Sequence, residues 1–117
     1  MSTLTLGKQG EDWAVNYLSE HGFEVRERNF RGRTGEIDVV AFKNGQLHFV
    51  EVKTRRPGEL FLVEEVLTET KRKRLWSTIY NYLYQHHVNN DNYQLDLLLI
   101  LVDAKKNPVK ISLYEAV

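Results

Sequence analysis

The dipeptide Asn44-Gly45 lies between two strand-like runs and constrains this chain more than any other feature. A two-residue type I′ turn needs positive φ at both positions, which asparagine and glycine adopt at little steric cost, so residues 36–42 and 46–53 are predicted to form a hairpin. With Lys43 opposite Gln46, each step away from the turn keeps the register, so Asp38 faces Glu51 and Glu36 faces Lys53. Directly opposed residues share one side of a sheet, which gathers three carboxylates and one ammonium into a single patch.

Opposed Cβ atoms in such a hairpin lie roughly 4.5–5.5 Å apart, and two like charges at that spacing destabilise it unless something compensates. A hard divalent cation is the natural compensator: Mg²⁺ takes one or two carboxylates and completes its shell with water and substrate phosphate. Lys53, two residues beyond Glu51 on the same face, would stand where an ammonium can orient a water or neutralise developing charge. Spacing alone also allows a solvated strand face in which Glu36 and Lys53 pair with each other. Against that alternative, Val40, Phe42, Leu47 and Phe49 continue the same face as an apolar stripe, and acids bordering a core need partners. Glu11 falls inside the apolar arc of a predicted helix, so it either snorkels to water or reaches towards the same cluster.

The rest of the chain reads as a helix over residues 6–21 ending at Gly22, a strand over 24–30, and a loop through Gly32 and Gly35. Residues 59–69 are ambiguous. A second helix follows over 70–85 with Leu75, Trp76, Ile79, Tyr80 and Leu83 inward, then strands over 95–102 and 109–114. Five strands and two helices, with apolar residues on both faces of the middle strands, imply a single-domain α/β fold over residues 1–117, a mixed five-stranded sheet flanked by helices. A composition of 42% hydrophobic and 27% charged residues fits one globular unit and argues against a disordered or fibrous chain. Cysteine is absent, which excludes thiolate ligands and makes the cytoplasm the default expectation. The first residues show no export signal, and the longest aliphatic run, residues 97–102, is too short to span a membrane.

Gly7, Gly10-Glu11, Gly22-Phe23, Arg28-Asn29-Phe30-Arg31, Gly35-Glu36-Ile37-Asp38 and Phe49-Val50-Glu51-Val52-Lys53-Thr54-Arg55 resemble the YraN family of uncharacterised, endonuclease-like bacterial proteins. Through Asp38 and Glu51-Val52-Lys53 the chain is also similar to the PD-(D/E)XK nuclease superfamily, which includes archaeal Holliday junction resolvases. That resemblance implies a restriction-endonuclease-like core and Mg²⁺- or Mn²⁺-dependent phosphodiester hydrolysis. It further implies metal held by Asp38 and Glu51, Lys53 as the catalytic lysine, and Glu11 as a nearby helical acid. The chain departs from the pattern in two places: no proline precedes Asp38, and Gln94 stands where an arginine is expected before Leu95-Asp96.

Net charge is zero, with 16 basic and 16 acidic side chains, so the molecule as a whole does not announce nucleic-acid binding. The basic residues nevertheless cluster at residues 26–33, 53–56 and 71–74, and locally concentrated cations can contact a phosphate backbone. Arg31, Arg33, Arg55 and Lys71 are the candidate contacts to nucleic acid, most simply DNA. Cations at the start of a helix oppose its dipole at about 0.3–1 kcal/mol each when exposed, so helix stability would not select Lys71. The four histidines show no ligand spacing among themselves. The helical spacing of Trp13, Trp76, Tyr80, Tyr82 and Tyr84 favours core or a partner surface over base stacking. Two rivals to a nuclease stand: a catalytically silent nucleic-acid-binding or assembly module of the same fold, and an acid/base glycosidase using the carboxylate pair. The lysine and basic segments weigh against the glycosidase.

Overall fold

A computed structural model describes residues 5–59 and 61–117. The readings that involve residues 1–4, and Leu60 within the ambiguous 59–69 stretch, lie outside the described residues. The order is α1 (Leu6–Glu20), β1 (Glu24–Arg31), β2 (Glu36–Lys43), β3 (Gln46–Arg55), α2 (Val63–Val66), α3 (Glu69–Gln85), β4 (Tyr93–Val102) and β5 (Pro108–Tyr114). The strands form one five-stranded sheet in sequential order. β3 and β4 are parallel and every other neighbouring pair is antiparallel, so the sheet is mixed as expected. The parallel pair needs a crossover, and α2 with α3 supplies it. No helix among the described residues is long and apolar enough to cross a membrane.

Two cores sandwich the sheet. On one face Ala14 and Leu18 of α1 pack with Val39, Ala41, Val50, Leu98 and Ile100. On the other, Leu75, Ile79, Tyr82 and Leu83 of α3 pack with Ile37, Val40, Phe49, Leu95 and Leu97. Tyr80 does not belong to the inner face assigned to it: it is exposed, and Tyr82 takes the buried place. α1 and α3 begin at threonine caps, whose hydroxyls accept from Lys8 N–H and Lys71 N–H at 3.2 Å each, satisfying donors that the first turn leaves free.

Asn44 (φ 52°) and Gly45 (φ 77°) both take the left-handed backbone that the predicted turn requires. The ladder then runs from Lys43–Gln46 to Val39–Val50 and stops. Predicted pairing therefore fails at its outer end: Asp38 and Glu51 lie just beyond the last rung, and Glu36 faces Arg31 on β1 instead of Lys53. The cause is a break in alternation. Ile37 and Val40, three residues apart, belong to the α3-side core, while Val39 belongs to the α1-side core. Across the β1–β2 pair the same flip separates Arg28, which reaches Asp12 of α1, from Phe30, which packs in the α3-side core. Asn29 between them has φ 54°, a conformation that asparagine tolerates better than most residues. Irregularities of this kind re-aim side chains and end pairing, and here the side chain re-aimed is Asp38.

α1 approaches β3 closely at Gly10, where an added Cβ would lie 2.6 Å from Thr54 Cγ2. A glycine inside a helix costs about 0.5–1 kcal/mol relative to alanine, so close approach is the reason for it. Gly10→Ala is expected to lower stability by about 1 kcal/mol net, overpacking outweighing the gain in helix propensity. The shift in the urea midpoint at unchanged slope measures it.

Candidate metal centre and nucleic-acid groove

Where β2 and β3 part, four acids and two lysines converge. Asp38 Oδ2 accepts from Val52 N–H at 2.8 Å, a donor that the ended ladder leaves available. Asp38 and Glu51 share a side-chain hydrogen bond. Glu51, buried on β3, receives Lys71 Nζ at 2.8 Å and stands 4.0 Å from Lys53 Nζ. Glu11, with a side chain only 13% exposed, has ion pairs no shorter than 3.9 Å, to Arg28 and Lys8, and its Oε1 is buried without a hydrogen-bond partner. Glu11, Glu36 and Asp38 each bring a carboxylate oxygen within 4.8 Å of the others. Sequence reasoning left Glu36 without a role; the kink at Asp38 and the β1–β2 pairing place it here.

Burial and the neighbouring Glu51 push the Asp38 carboxyl up to about 9, so at neutral pH it holds a proton. Burial would also raise Glu51, but the hydrogen bond from Asp38 and the Lys71 ammonium hold it below the usual carboxylate range. Lys53 is lowered by burial and by the adjacent Lys71, against the pull of Glu51. Lys71 is raised because its contacts with Glu51 outweigh its burial. The folded chain thus carries one negative charge on the Asp38–Glu51 pair, neutralised chiefly by Lys71. This gives a reason for a cation in the first turn of α3: Lys71, the expected phosphate contact, is seated on Glu51 in the structure and lines the groove.

A set of hard oxygens, one of them buried without a hydrogen bond and another on a carboxyl held protonated by burial and a neighbouring acid, fits an Mg²⁺-type ion. Glu11, Glu36 and Asp38 form the carboxylate trio, and Glu51 adjoins it through the Asp38 hydrogen bond. A groove of about 470 Å³ opens beside them, lined by Gly35, Glu36, Glu51, Lys71, Arg74 and Thr78 among others. Of the expected phosphate contacts, Arg31 is 3.5 Å from Glu36 and highly exposed. Arg55 pairs with Glu59 at 3.7 Å, and Arg33 has no ion pair among the described residues. Arg74, at the groove, was not singled out from sequence because it sits in a charge run indistinguishable from a solvated helix face.

A second titratable cluster occupies the other end of the sheet. Asp96 is fully buried and accepts from His48 Nδ1 at 2.7 Å, Gln94 Nε2 at 2.7 Å and Ala116 N–H at 3.0 Å. Three partners within the protein meet its oxygens, so this group is a structural pin.

Residues 10–100 match the profile of "Uncharacterised protein family UPF0102". The chain is 36% identical over 115 residues to a UPF0102 protein of Caldicellulosiruptor bescii, covering 97% of this chain and 96% of that protein. The chain belongs to UPF0102. Further UPF0102 relatives are those of Campylobacter lari, 40% identical over 106 residues with 91% and 92% coverage, and Helicobacter hepaticus, 43% over 100 residues with 86% and 87% coverage. UPF0102 is the YraN family that the motifs resembled. Among solved structures, an EndoMS–double-stranded DNA complex superposes with TM-score 0.44 at 21% identity, over 87% of this chain and 37% of that one. In this UPF0102 chain Gln94 takes the expected arginine's place as a donor, bonding Asp96 and, at 3.3 Å, Glu115.

Proposed function

We infer that the chain hydrolyses phosphodiester bonds of nucleic acid with the help of Mg²⁺ or Mn²⁺, in the cytoplasm and most simply on DNA of branched or otherwise structured form. The observation that carries this reading is the Glu11 oxygen buried without a hydrogen bond, close to the Asp38–Glu51 pair, beside a groove lined by Lys71 and Arg74 as well as by Glu36 and Glu51. Asp38, Glu11 and Glu36 would hold the ion, with Glu51 turning to it from Asp38. A divalent ion there supplies Lewis-acid polarisation of a phosphoryl oxygen and acidifies a bound water.

The side chains divide the remaining work. Lys71 keeps Glu51 ionised and fixed. Lys53, with a lowered proton affinity, is placed to position the attacking water and to offset charge developing on the phosphate. Arg31, Arg33 and Arg74 neutralise neighbouring phosphates, and binding weakens as salt rises. Arg55 stands further along β3 on the same basic segment.

Cation binding must displace the Asp38 proton. A carboxyl raised to about 9 in the fold makes the metal-free protein less stable as pH climbs from about 4 to about 9, because the unfolded chain releases the proton first. The same sign makes Mg²⁺ bind more tightly with rising pH, by up to about tenfold per unit below pH 9, with release of close to one proton. Titration calorimetry in buffers of different ionisation enthalpy reads both.

The deciding experiment incubates the protein with linear, flapped and four-way-junction DNA in Mg²⁺, Mn²⁺ or EDTA, beside Asp38→Ala. Cation-dependent cutting that vanishes in the variant supports hydrolysis. Salt-sensitive binding without cutting under any of these conditions would give the silent module its place, a reading that the Lys71 contact on Glu51 would then explain.

A further inference from the structure

Three hollows lie in a row on the α3 side of the β1–β2 loop. The groove at Glu51 and Lys71 shares Gly35 and Glu36 with a small hollow at Arg31 and Gly32. That hollow shares Arg31 and Gly32 with one of about 520 Å³ lined by Arg33, Asn81, Tyr84 and Gln85. Lys71 and Tyr84 stand about 20 Å apart along the helix axis, so the row leads well away from the acids.

The loop between the hollows is held firmly. Gly32 N–H donates to Gly35 O at 2.9 Å, and Arg33 N–H donates to Asn81 Oδ1 at 3.1 Å. A Cβ at Gly32 would lie 2.6 Å from that same Oδ1 and 3.1 Å from Thr78 Cγ2, so a larger residue there would push against the Asn81 side chain that holds the loop to α3. The consequence is that two arginines are presented at the rim beside Tyr84, whose residue surface is 84% exposed. Helical spacing pointed to core or partner surface for this tyrosine, but Tyr82 fills the core and Tyr84 turns its ring to water. An aromatic face flanked by guanidiniums is the arrangement that captures a nucleic-acid strand, the ring stacking on a base and the cations on its phosphates. A base can stack there only if it is free of its own neighbours, which a continuous duplex does not provide.

We propose that this row holds a single-stranded segment of the substrate, with Tyr84 stacking on an unpaired base and Arg31 and Arg33 neutralising adjacent phosphates. The proposal rests on the hydrolase reading and specifies its substrate: nucleic acid with an unpaired stretch beside the position of cleavage.

Fluorescence anisotropy in EDTA with the full chain tests it without cutting, using labelled single-stranded, flapped and blunt duplex oligonucleotides at fixed salt. Tyr84→Ala is expected to weaken binding of single-stranded and flapped DNA by roughly 5- to 150-fold, the equivalent of about 1–3 kcal/mol per stacked base. Duplex binding should stay within about twofold, and Tyr84→Phe, which keeps the ring face, should match the wild type. Equal affinity of wild type and Tyr84→Ala for single strands overturns the proposal, as does an equal loss on duplex. Sedimentation showing a wild-type dimer that Tyr84→Ala dissociates overturns it too, since the patch would then join two copies. In those cases metal-dependent cleavage by the wild type still stands; a wild type that binds no nucleic acid removes both readings together.

Discussion

Asp38→Ala should cut Mg²⁺-dependent cleavage by about 10³-fold or more while leaving the protein folded. Losing an oriented cation removes several kcal/mol of transition-state stabilisation, and each 1.36 kcal/mol is a factor of ten in rate. The fold should tolerate the change, because the metal-free protein holds Asp38 only through Val52 N–H and a proton shared with Glu51. Removing a carboxyl that burial disfavours relieves a conflict, so the thermal midpoint without metal should hold or rise, while the stabilising effect of Mg²⁺ disappears. Quantified cleavage beside thermal melts with and without Mg²⁺ gives the comparison. Full activity in the variant would exclude Asp38 from the chemistry.

Lys53→Met separates the amine from the ion. The substitution keeps the length of a half-buried side chain and removes its donor, and kcat should fall by about 10²–10⁴-fold, the usual range for a positioned proton-transfer or charge-stabilising group. Mg²⁺ affinity should change little, because Lys53 stands 4.0 Å from Glu51 while Lys71 holds that carboxylate at 2.8 Å. A matched fall in metal affinity, with kcat recovered at saturating Mg²⁺, would assign Lys53 to shaping the metal centre and not to the reaction.

The hairpin shows how far sequence reasoning reaches. Asn44-Gly45 is a local signal with one dominant turn geometry, so the register near it was legible and the observed ladder keeps it as far as Val39–Val50. Extrapolation beyond that rung assumed strict alternation, and the left-handed backbone at Asn29 is a long-range adjustment that no periodicity announces. Asp38 and Glu51 still meet, by a hydrogen bond past the end of the ladder, whereas the expected Glu36–Lys53 opposition gives way to Glu36–Arg31. Glu11 was legible as an acid in an apolar arc; that its Oε1 would find no donor required the packing of α1 on β3. Lys71 drew notice for defying the helix dipole, yet its partner lies on another element and could not be read from spacing. The His48–Asp96 pin joins residues 48 positions apart, and neither strand reveals it alone. Tyr80 and Tyr82 exchange places because aromatic residues at every second position of a helix leave the buried phase undecided.

Asn29 and Asp38 sit across from each other between the Arg28–Val39 and Phe30–Ile37 pairs, so the two irregularities form a crease through both strands. The curvature of the sheet edge and the aim of the carboxylate are therefore one variable. A substitution at Asn29, which lies outside the acidic cluster, would therefore be expected to shift the aim of Asp38 through the shared backbone.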